Sequence, residues 1–92
     1  MKVIWTEGAA DDLEGIVDRI SRDSPDAASR IAKTIFDQAM GLAVMPFRGR
    51  KRSTDKSREL VFAPWPYLAV YEVIGESLFI KAIRHTSRNW EQ

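Results

Sequence analysis

The chain of 92 residues contains no cysteine. That excludes disulfides and cysteine-ligated zinc, the usual staples of a secreted protein this small. It has one histidine, so one side chain titrates naturally near neutral pH. Long hydrophobic runs are missing too. The longest candidate, 60–71, is interrupted by Pro64 and Pro66 and falls short of the roughly 20 residues that span a bilayer. Glu7, Asp11 and Asp12 stand where a secretory signal needs its apolar core. A cytoplasmic home without membrane contact is the expectation, with residues 1–92 forming one domain.

What is present is 45% hydrophobic, enough for a packed core. The net charge of +1 hides an asymmetry. Residues 1–47 carry five cations against eight anions, and residues 48–92 carry nine cations against five anions. A basic second half points to an anionic partner.

Lys2-Val-Ile-Trp5 reads as a first strand. Thr6 suits an N-cap with Glu7 in the first turn, and Ala9, Ala10, Leu13, Ile16, Val17 and Ile20 recur at helical spacing. The spacing predicts a helix over 7–22, with Asp11 and Asp12 on a solvated face. Ser24-Pro25-Asp26 opens a second helix, and Ala28, Ile31, Ala32, Ile35, Phe36, Ala39, Leu42 and Ala43 carry it over 25–44. The short connection makes an antiparallel hairpin. Residues 47–56 form a basic loop holding Arg48, Arg50, Lys51, Arg52 and Lys56 against Asp55. Read as a target-binding loop, it is dispensable to stability.

Strands follow at 58–62 and 67–73, separated by Pro64-Trp65-Pro66. A tight turn at 74–77 uses Gly75 for positive φ and leads into a fourth strand from Leu78, antiparallel to the third. The order β-α-α-β-β-β implies an α+β layer: an antiparallel-meander sheet with the helical hairpin on one face and the other face partly open.

The end of the fourth strand gathers Arg84, His85, Arg88 and Trp90. Cations beside a flat aromatic suit a nucleic acid. From these residues alone, a sheet-edge cap and a core-closing Trp are the simpler account. Strand alternation sends His85 to the helix side if Arg84 lines the open face.

Six fragments in register carry a family resemblance. They are Ile4-Trp5-Thr6 with Ala10-x-x-Leu13, Ser24-Pro25-x-Ala27-Ala28, and Pro46-x-x-Gly49-Arg50. The later ones are Arg58-Glu59-Leu60, Pro66-Tyr67-x-x-x-Tyr71, and Ile83-Arg84-His85-x-x-Arg88-x-Trp90. The chain resembles the RelE/ParE superfamily of toxins from bacterial type II toxin–antitoxin modules. The resemblance implies a growth-inhibiting toxin neutralised by a cognate antitoxin, and contact with operator DNA only through that antitoxin. It implies one of two targets. RelE-like members cut ribosome-bound messenger RNA without metal or other cofactor; ParE-like members poison DNA gyrase without nuclease activity. A weakly active member acting mainly in an autoregulatory complex is a third outcome.

On the RelE-like reading, Arg84 and Arg58 match positions where arginines face the phosphate, and His85 is the acid or base. Arg50, Lys51, Arg52, Arg88 and Trp90 then bind the target. Trp90 stands near a C-terminal tyrosine of other members, and an indole cannot serve as a proton acid.

Overall fold

The structure, a computed structural model, describes residues 1–88. Trp90 and the side chain of Arg88 lie outside the described residues. The chain runs β1 (Lys2–Trp5), α1 (Glu7–Ser21), α2 (Pro25–Gly41), β2 (Arg50–Lys51), β3 (Arg58–Val61), β4 (Tyr67–Ile74) and β5 (Ser77–His85), then a 3-10 turn at Thr86–Arg88. None of the described helices is long and apolar enough to cross a membrane.

The helices begin where the caps require. The hydroxyls of Thr6 and Ser24 accept the Ala9 and Ala27 N–H groups at 3.1 and 3.2 Å. This satisfies donors that have no partner inside the helix. Helix α2 stops at Gly41, three residues short of the expected 44. There the N–H groups of Leu42, Ala43 and Val44 turn back to the carbonyls of Ala39, Met40 and Gly41, tightening the last turn.

The sheet order is β1-β5-β4-β3-β2. Strands β2 to β5 form the expected antiparallel meander. β1 adds in parallel to β5, so the sheet is mixed. β2, a two-residue strand, emerges from what the sequence presents as loop. The β4–β5 turn needs only Gly75 at positive φ, at 61°, as in hairpins with glycine first in a two-residue turn.

One core lies between the hairpin and the sheet. Ile35, Leu42, Phe62, Tyr71, Leu78 and Ile80 are fully buried in it, each burial contributing about 1.5–3 kcal/mol for the aliphatic and Phe side chains. Val70 pairs with Ala82 while Tyr71 pairs with Ile80, which leaves Lys81 as an extra residue. This bulge lets Ile80 and Ile83 both face the helices although they are three positions apart. The opposite face carries a smaller apolar cluster of Leu68, Val70 and Ala82.

Asp12 is not merely solvated. Past the end of β1 no strand among the described residues pairs with the outer edge of β5, and the Asp12 carboxylate accepts the Ile83 N–H there at 3.0 Å. It thereby ties α1 to β5 and satisfies an edge donor.

Candidate functional site

Arg84 is the exposed residue near the end of β5, held by Ala82 and Ile83 behind it. Its cross-strand neighbour is Leu68, whose own neighbour on β3 is Val61. The next row on that face runs Ala82, Val70, Glu59 and Arg50. The cross-strand neighbours of Arg84 on the sheet are therefore apolar, and the carboxylates near it, Asp11 and Asp12, come from α1.

His85 follows in β5 and takes the opposite face, as alternation requires once β5 runs through it. Its ring meets Tyr67 edge-on, with centroids 5.3 Å apart. Its Nδ1 accepts the Ser87 N–H at 3.1 Å and lies 2.7 Å from the Ser87 hydroxyl. In the neutral ring that places the proton on Nε2. Arg84 and His85 both border a cleft of about 680 Å³ beside α1, which Asp11, Asp12, Arg19 and Ser87 also line.

Arg58 stands elsewhere. It pairs with Tyr71 on the helix face of the sheet, three residues along β4 from the Leu68 opposite Arg84. At about 3.3 Å per residue this is about 10 Å along the strand, in addition to the thickness of the sheet. Its guanidinium donates to the carbonyls of Gly49 at 2.9 Å and Phe47 at 3.3 Å, and lies 5.0 Å from the centre of the Phe47 ring. The Gly49 N–H donates in turn to the Tyr71 phenol oxygen at 2.8 Å. Burial pushes the Tyr71 hydroxyl pKa up, against the opposing pull of the Gly49 N–H.

The basic loop divides. Glu59 is buried, and Arg50 pairs with it directly. Arg52 Nε lies 3.8 Å from both Glu59 and Asp55. The Asp55 carboxylate accepts the Ser57 N–H at 2.8 Å, which holds its pKa below the usual value. Arg48, Lys51 and Lys56 remain exposed. The loop is therefore not wholly a free surface: Arg50 and Arg52 stand against a buried carboxylate, so their removal is expected to cost stability.

The structure thus brings Arg84 and His85 to one cleft, on opposite sides of one strand. It places Arg58 with Phe47, Gly49 and Tyr71, and Arg50 and Arg52 around Glu59. Sequence reading passed over the exposed Phe47 and the apolar row beside Arg84; the Phe in an otherwise charged loop was the available signal. A third feature is the groove of Trp5, Leu13, Val17 and Phe36 along the hairpin, rimmed by Glu14 and Asp18. Trp5 and Phe36 stack there with centroids 6.4 Å apart.

Comparison with known proteins gives the family. The family described as ParE toxin of type II toxin–antitoxin system, parDE, matches residues 3–90. Toxin RelE2 of Caulobacter vibrioides is 42% identical over 87 residues, covering 95% of this chain and 97% of that protein. Y4kP of Sinorhizobium fredii is 34% identical over 91 residues, covering 99% and 94%. A chain of the chromosomal ParDE TA system from P. aeruginosa superposes with a TM-score of 0.81 at 28% identity, over 92% of this chain and 95% of that one. The chain belongs to the ParE toxin family of type II toxin–antitoxin systems, within the RelE/ParE superfamily.

Proposed function

We propose that this toxin arrests growth by binding and poisoning DNA gyrase, and not by cutting messenger RNA. A type II toxin has a cognate antitoxin, and that partner is common to both readings. The observation that carries the choice is the row Arg84–Leu68–Val61. Cleavage through a 2′-hydroxyl needs cations around a crowded phosphate and an acid or base within reach of it. Beside Arg84 the sheet offers aliphatic side chains. Arg58 is on the other face holding backbone carbonyls, and His85, though it borders the same cleft as Arg84, leaves the strand on the opposite side and turns its Nδ1 to Ser87. A protein-binding inhibitor needs none of that convergence. Its requirement is a rigid surface of mixed apolar and basic character.

Identity of 42% to a protein named RelE2 favours a second reading, in which Arg84 grips the phosphate in ribosome-bound messenger RNA. On that reading Arg84→Lys loses most cleavage while folding and antitoxin binding persist, because lysine keeps the charge but not the two-pronged hydrogen bonding. Pulse labelling after induction, with and without antitoxin, separates the two. Gyrase poisoning predicts early loss of DNA synthesis and an SOS response. Early loss of protein synthesis with cut messenger would overturn it.

A further inference from the structure

Apolar side chains are unusually exposed at one end of the hairpin. Met40, at the end of α2, is 38% exposed; Val44, Met45 and Phe47, in the turns that follow, are 85%, 61% and 61% exposed. Met1, 44% exposed, joins them through its terminal ammonium, which donates to the Ala43 carbonyl at 3.4 Å. Clustered apolar exposure of this kind marks an interaction surface.

The segment is held firmly. Arg58 grips two of its carbonyls, Tyr71 receives its Gly49 N–H, and the Arg48 N–H closes a turn onto the Met45 carbonyl at 3.2 Å. An exposed aromatic fixed in place before binding loses little conformational freedom on association. The exposed cations next in sequence are Arg48, Arg50, Lys51 and Lys56, of which Arg50 is engaged with Glu59, as is the less exposed Arg52.

We infer that Met45 and Phe47, with Val44 and the basic side chains of residues 48–56, form the surface by which this toxin grips its target: an acidic protein surface containing an apolar pocket. The inference rests on the protein-target reading above and supplies the contact that reading requires. The cations complement an acidic partner and speed encounter with it. A protein fits better than RNA. The Arg58 guanidinium already stands over the Phe47 ring, and the neighbouring Val44, Met40 and Met45 are aliphatic or thioether groups that offer a base no stacking plane.

The test compares wild type, Phe47→Ser, Met45→Ser and Lys51→Glu/Lys56→Glu. It measures melting temperature, antitoxin affinity, growth arrest on induction, and binding of the full chain to purified gyrase holoenzyme. Phe47→Ser is expected to keep its melting temperature and antitoxin affinity, to bind gyrase at least about tenfold more weakly, and to lose toxicity. The charge-reversed variant should associate more slowly, with a smaller dependence on salt. Should Phe47→Ser fail to fold, Met45→Ser is expected to show the same losses and takes its place. If wild type does not bind gyrase yet folded Phe47→Ser is harmless, the gyrase reading falls and the surface stands for another protein target. Folded variants that remain fully toxic overturn the inference. So does loss of antitoxin affinity with toxicity kept, which makes the patch the antitoxin's seat. Loss of self-association with toxicity kept overturns it as well, as does an equal loss of binding to an RNA probe in place of gyrase.

Discussion

The Tyr71 phenol oxygen accepts the Gly49 N–H at 2.8 Å, joining β4 to the turn that displays Phe47. The contact leaves no room at position 49. A Cβ there would lie 2.6 Å from the Tyr71 oxygen and 2.8 Å from the Glu59 carbonyl. Gly49→Ala should therefore destabilise the fold by about 1–3 kcal/mol, the range for overpacked sites. Tyr71→Phe keeps the packing but strands a buried N–H, at a cost of about 1–3 kcal/mol. Urea unfolding of both variants checks this, and unchanged midpoints would refute it.

Alkaline pH should act through the same hydroxyl. Burial raises the Tyr71 pKa above its ordinary value of 10.0. A group raised in the folded state contributes its stability fully below the unfolded value and loses it as pH rises through the folded one. Stability should thus begin to fall above about pH 10, more steeply in wild type than in Tyr71→Phe. Denaturation midpoints across pH 9–11 in steps of about half a unit measure it; parallel curves for the two proteins would count against the assignment.

Glu59 gives the third prediction. Its side chain is 3% exposed and Arg50 closes over it. Replacing Arg50, Lys51 and Arg52 together by Ala strips the cations from a buried carboxylate, so the triple variant should lose about 2–5 kcal/mol. Adding Glu59→Gln should restore part of that loss, because a neutral amide tolerates burial better. Thermal melts of the triple and quadruple variants decide it. A triple variant as stable as wild type would return the loop to the role of a free surface.

Much of this architecture is readable from residue order. Thr6 and Ser24-Pro25 fix the helix starts, the apolar spacing fixes the buried faces, and Gly75 fixes the hairpin. What escapes the sequence depends on partners far away in it. The parallel pairing of β1 with β5 joins residues about 75 positions apart. The bulge at Lys81 reverses the phase of β5, and nothing in Ile80-Lys81-Ala82-Ile83 announces it. Asp12 looks like any helix-surface carboxylate until β1 ends and leaves the Ile83 N–H open. The candidate site was legible as a set of residue types but not as a place. Arg58 and Arg84 share a chemistry, yet strand register sends them to opposite faces.

Purified components decide whether gyrase is the target. Gyrase, supercoiled plasmid and ATP are incubated with the toxin, and cleaved DNA complexes are trapped with detergent. In parallel, the toxin is added to ribosomes programmed with a test messenger. A gyrase poison is expected to accumulate gyrase-linked linear DNA, abolished by the antitoxin, with the messenger intact. Messenger cut on the ribosome, with gyrase supercoiling undisturbed, would contradict it.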